Sequence, residues 1–178
     1  GELQQRIEEL RRKLAAEGLF APERKRPFPL LPRRIGIVTS PTGAALRDML
    51  KVALRRHPKL EILFAPAKVQ GDSAAASIVR AIEELNNPRW DLDIIIAGRG
   101  GGSPEDLAAF SEESVVRAFA ASRLPIISAV GHQIDHPVCD EAADHAAPTP
   151  SAAAEFAVPD RAVLSRRIET AAGRLEAL

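Results

Sequence analysis

Four short apolar runs, at 35–39, 60–66, 92–97 and 125–130, alternate with stretches patterned for helices at 44–56, 73–86 and 104–121. No other feature constrains the fold as much. Runs such as IGIVT and IIIA have strand length and β-branched content and carry no polar alternation, so they read as strands buried on both faces. Parallel neighbours need a crossover, and a helix after each of the first three runs supplies one. The expected fold is therefore α/β, a mostly parallel sheet with helices on both faces, flanked by N- and C-terminal helical segments. At 178 residues, 46% of them apolar, the chain suffices for one core. The third helix carries a break signal near Ser111, a second N-cap candidate.

The ends read differently. Leu3, Ile7, Leu10 and Leu14 form a heptad-like stripe, as do Leu164, Ile168, Ala171, Leu175 and Leu178. Either is a coiled-coil seam or the apolar face of a helix lying on the core. The second stripe still runs at the last residue, as expected of the start of a longer helix. Between the first stripe and the first strand lies APERKRPFPLLPRR, a proline-rich basic linker. The organisation expected is an N-terminal helix over 1–20, the linker over 21–34, an α/β catalytic domain over 35–158 and a C-terminal helix from 159 to 178.

In a sheet of this kind ligands sit beyond the carboxyl ends of the strands. The third strand runs into GRGGGSPEDL. Glycines at 98, 100, 101 and 102 let backbone amides approach an anion, and Ser103-Pro104 reads as an N-cap and first helical residue. Arg99 adds a guanidinium fork suited to a phosphate, and as a loop residue it is expected to serve charge stabilisation rather than the core. The stretch lacks the Lys-Ser/Thr ending of a P-loop, and Ser103 replaces the third glycine of a dinucleotide fingerprint.

The first strand runs into TSPTGAALRD, where Thr39, Ser40 and Thr42 supply hydroxyls, Gly43 frees amides and Asp48 lies about a turn into the next helix. After the fourth strand, His132 and Asp135 follow Gly131 in GHQID; a carboxylate beside an imidazole orients it for proton transfer near neutral pH. The phosphate-binding set expected is thus Thr39, Ser40, Thr42, Gly43, Gly98, Gly100, Gly101, Gly102 and Ser103. His132, Asp135, His136, Cys139, Asp140, Asp144 and His145 are all metal-ligand types, but their spacing fits no standard zinc pattern and Pro137 interrupts them, so no metal site is assigned. Cys139 has no evident base to make it a nucleophile.

Lys plus Arg total 24 and Asp plus Glu total 24, so global charge argues for neither nucleic acid nor membrane. A basic footprint must be local: Arg24, Lys25, Arg26, Arg33 and Arg34, or Arg55, Arg56, His57 and Lys59. One cysteine excludes an internal disulfide and suits a reducing, cytoplasmic setting. No apolar stretch has the length of a membrane span or a signal-peptide core.

Taken in order, LPRRIGIVTSPTGAALRDML, GRGGGSPEDLAAF, ISAVGHQID and ADHAAPTPSAAAE resemble the exodeoxyribonuclease VII large-subunit family across nearly the whole chain. The resemblance implies a bacterial cytoplasmic nuclease that degrades single-stranded DNA from both ends to short oligonucleotides. It implies a small subunit as partner, bound through the C-terminal helical region. It implies no strict need for a divalent metal, with Mg2+ left open. It also implies an OB domain and most of a helical region beyond this stretch. The family's catalytic positions fall on Asp48, Arg99, His132 and Asp135: Arg99 to hold the scissile phosphate, His132 to move the proton, Asp135 to orient it and Asp48 as a second carboxylate. Gln133, Ile134 and His136 depart from the family's usual Glu, Thr and apolar residue. Six Phe, one Trp and no Tyr leave little for base stacking. The alternatives are a phosphosugar or nucleotide enzyme using the same loops, and a non-catalytic assembly module.

Overall fold

The computed structural model describes residues 1–102, 104–131 and 136–177, with only the backbone of Pro104 and Glu105. Five parallel strands form one sheet: β1 (Arg34–Thr39), β2 (Glu61–Pro66), β3 (Ile94–Gly98), β4 (Ile126–Ala129) and β5 (His145–Ala146), in the order β2-β1-β3-β4-β5. The α/β expectation holds. β1 pairs Ile35 with Ile62 and with Ile94, and β3 pairs Ile95 with Ile126, so the most apolar strands lie innermost.

Side chains alternate across the sheet and divide the core in two. Ile35, Ile37, Ile94, Ile96 and Ile127 face α2 (Ala44–Arg56) and α6 (Pro150–Ala157). Val38, Ile95, Ala97 and Ile126 face α1 (Glu2–Ala16), α3 (Ala74–Leu85), α4 (Glu113–Ala121) and the short α5 (Cys139–Ala142). Gly36 is required on the second face, because a Cβ there would lie 2.7 Å from Leu85 Cδ1 and 2.9 Å from Leu92 Cδ1.

The structure refines one expectation and decides another. The helix expected over 104–121 is a 3-10 segment, Pro104–Ser111, followed by α4; Ser111 caps nothing, its hydroxyl accepting instead from the Val138 amide at 3.1 Å. The N-terminal stripe is no free flank: Leu14 is fully buried, and Ile7 and Leu10 pack on the α3/α4 side of the core. The C-terminal stripe behaves oppositely. α7 (Arg161–Glu176) buries no residue, and Ile168 and Leu175 are 69% and 72% exposed.

The basic linker folds back on the domain. Arg26 donates from Nε to the fully buried Asp144 carboxylate at 2.8 and 2.9 Å, and from its two Nη atoms to the carbonyls of Phe119, Ala120 and Ser122. Lys25 meets the carbonyls of Glu141 and Ala143. Neither is a free cation for a polyanion. Arg33, Arg34, His57 and Lys59 do line a cleft with Arg161, at the amino edge of the sheet, while Arg56 donates to the Val158 carbonyl at 2.6 Å.

Candidate anion-binding site at the strand switch point

From β1 the chain moves out to β2 and then returns to add β3 on the other side of β1, so the carboxyl ends of β1 and β3 form the switch point where doubly wound sheets bind ligands. A cleft of about 380 Å3 opens there. Thr39, Ser40, Thr42 and Gly43 line it from β1, and Arg99, Gly100 and Gly101 from β3. Ala44 and Ala45 bring in the N-terminus of α2, which no side chain caps. Its first-turn amides and positive dipole end suit an anion. Ser40 and Thr42 hydroxyls lie 3.1 Å apart and shape the turn, and Ser40 also accepts from the Thr42 amide.

The loop after β2 forms the third wall with Lys68, Val69 and Gln70, a contribution that sequence reasoning missed. The rule that ligands sit at carboxyl strand ends pointed to APAKVQGDS as much as to the other loops.

Arg99 sits at the site but is turned onto its own loop. It is 8% exposed, donating from Nε to the Gly100 carbonyl at 3.1 Å, from one Nη to the Asp106 carbonyl at 2.9 Å and from the other to the Gly101 carbonyl at 3.1 Å. The Asp106 carboxylate is 3.8 Å away. The residue expected to stand apart from the core is therefore a buried fastener as well as a charge.

The four glycines have separate reasons. Gly98 is buried in β3, where a Cβ would collide with the Ala129 carbonyl; it serves strand packing rather than the cleft. A Cβ on Gly102 would collide with the Arg99 guanidinium, 2.7 Å from its Cζ. Gly100 rests over Ala45, and Gly101 faces open space. None adopts a positive φ, so closeness rather than turn geometry demands glycine at 98 and 102, and neither demands it at 100 or 101.

Asp48 is exposed on α2, one turn beyond Ala45, and does not line the cleft. Ser103, His132 and Asp135 lie outside the described residues. At the end of β4, just before that segment, Ser128 donates to Asp140 Oδ1, and Asp140 Oδ2 lies 3.5 Å from His136 Nδ1. A Cβ on Gly131 would be 3.4 Å from Asp140 Oδ2. Burial raises the Asp140 carboxyl above the usual range, against the opposing Ser128 and His136 contacts. Burial likewise pushes the Cys139 thiol well up, so it has no thiolate character to offer as a nucleophile. His145 stacks on Phe156 at 3.6 Å, and Asp144 is committed to Arg26. Among the described residues no three His, Cys, Asp or Glu side chains gather as a metal would require.

The fold and cleft define a doubly wound α/β protein with an open crevice at its switch point. The profile described as "Exonuclease VII, large subunit" matches residues 19–178, and the chain belongs to that family. It is 55% identical over 176 residues to a protein of Leptospira interrogans named exodeoxyribonuclease 7 large subunit, covering 99% of this chain and 42% of that one. Proteins of the same name from Moorella thermoacetica and Cronobacter sakazakii are 55% and 53% identical, over 94% and 99% of this chain and 42% and 38% of theirs. The chain thus spans about two fifths of the length of these curated relatives.

Proposed function

We propose that this chain carries the phosphodiester-hydrolysing site of a nuclease that shortens single-stranded DNA from either end to oligonucleotides. The observation that supports it most is the switch-point cleft, where an uncapped helix N-terminus, a glycine loop and a buried guanidinium meet in a chain of this family.

Hydrolysis of a phosphodiester needs stabilisation of the charge growing on the phosphoryl oxygens and a proton for the leaving oxygen. Amides of α2 and of the loop at Gly100 and Gly101 answer the first need, with the Arg99 charge acting from behind the loop in a poorly solvated position. His132 is the proton carrier, oriented by Asp135, and Asp48 on α2 is the second carboxylate. No divalent metal is strictly required; Mg2+ contributes only if chelation slows the reaction. The small subunit binds along the exposed apolar stripe of α7. The protein works in the cytoplasm; among the described residues no helix is long and apolar enough to cross a membrane.

Labelled single-stranded DNA incubated with the chain, with and without small subunit and chelator, tests this reading. Short products released from both ends, in the presence of chelator, are expected. An intact strand beside turnover of a phosphosugar or nucleotide would overturn it. Replacing His132 with Gln is expected to lower kcat far more than DNA affinity.

A further inference from the structure

The cleft contains a buried hydroxyl with nothing to bond. Thr39 is 0% exposed, and its Oγ1 has no hydrogen-bond partner among the described residues, although it lines the cleft at the end of β1. Strand alternation puts its side chain on the α2 face with Ile35 and Ile37, beside the uncapped α2 N-terminus. Buried polar atoms are nearly always satisfied, and one that is not, opening on a pocket, is a place for a ligand.

Across the cleft stands Lys68. It is exposed, its ammonium meets no carboxylate among the described residues, and its backbone N–H donates a hydrogen bond to Ser77 Oγ at 2.9 Å. Arg99, by contrast, spends Nε and both Nη atoms on carbonyls of its own loop.

We propose that Lys68, the Thr39 hydroxyl and the first-turn amides of α2 form the subsite that grips a substrate phosphate, while Arg99 is a positioning residue that builds the glycine wall. The proposal rests on the reading of the cleft as a phosphodiester site. The ligand class is a phosphate monoanion or dianion, free or as a nucleic-acid phosphodiester. Lys68 supplies the point charge, Thr39 Oγ1 donates one hydrogen bond, and the amides supply fixed dipoles that need no reorganisation.

Inorganic phosphate titrated into the isotope-labelled chain, followed by amide resonances, tests the subsite directly. Residues 39–45, 68–70 and 99–102 are expected to shift together and saturate. Lys68→Gln and Thr39→Val are each expected to weaken phosphate by about tenfold, the usual loss when one bond to a charged group is removed. Because Thr39→Val removes an unsatisfied hydroxyl, its melting temperature should hold or rise while affinity falls, which a merely structural threonine would not do. If that variant failed to fold, Lys68→Gln at an exposed position still decides. With a single-stranded oligothymidylate, KM should rise in Lys68→Gln by more than kcat falls. Phosphate affinity unchanged in both variants, or resonance shifts elsewhere on the chain, would overturn the subsite. Phosphate bound at the cleft with the expected dependence, but no DNA cleaved by the wild type under any condition, would leave the subsite standing and overturn the nuclease reading instead.

Discussion

Arg99 joins two tasks usually separated. Its guanidinium is fixed by three carbonyls and sits where a Cβ on Gly102 would otherwise be, so the arginine and the glycine are each the other's reason. Arg99→Ala is therefore expected to cost about 1–3 kcal/mol of stability in denaturant unfolding, from carbonyls left without donors, and also to abolish turnover. Arg99→Lys should recover part of the stability and little of the activity, because one ammonium cannot meet three divergent carbonyls. Asp140 makes the other prediction at this scale. Its raised carboxyl pKa means the folded state holds the proton more tightly than the unfolded chain, so its contribution is fully present below the unfolded value of 3.8 and is lost as pH rises through the folded value. Asp140→Asn, which keeps an acceptor for Ser128, should gain melting temperature relative to wild type as pH rises from 3 to 7. A difference between the two that is flat across that range would contradict the burial argument. The place of Arg99 at the switch-point cleft was legible in the sequence from its strand and its glycine neighbours. Its inward turn was not, because nothing in GRGGGSPEDL says which way so long and flexible a side chain will swing.

At the scale of elements, the periodicity of the strands and of α2 and α3 is local physics, and the structure follows it within a residue or two: α2 spans Ala44–Arg56 as its pattern predicts. What the sequence hid depends on distant partners. The two heptad stripes look alike, yet Leu14 is fully buried in the core cluster that α3 and α4 share while Leu175 is 72% exposed, because the linker after α1 is tied back onto the domain. That linker is locked by Arg26 on Asp144, a pair invisible at a separation of 118 residues. Removing Arg26 leaves a fully buried carboxylate without its cation, so Arg26→Ala should cost about 3–5 kcal/mol, measured by chemical unfolding. α7 predicts the reverse. Ile168→Glu with Leu175→Glu should leave the melting temperature of the chain unchanged while weakening small-subunit binding in light scattering, since the stripe is exposed. A large loss of stability would mean that α7 docks on the core.

Across the whole molecule, neutrality conceals a polarity. The cleft with Lys68 and Arg99 occupies the carboxyl edge of the sheet, and the Arg33–Lys59 cleft occupies the amino edge, about 20 Å away along a six-residue strand. Composition alone could not separate them, whereas the strand order makes only the first a switch point. The proposed phosphate site therefore lies at one edge only. Titrating the labelled chain with a short single-stranded oligothymidylate and mapping amide shifts tests that placement most directly. The largest shifts are expected at residues 39–45, 68–70 and 99–102, diminishing steeply with added salt as backbone-charge recognition requires. Shifts concentrated around Arg33, His57 and Lys59, with the switch-point loops silent, would contradict it.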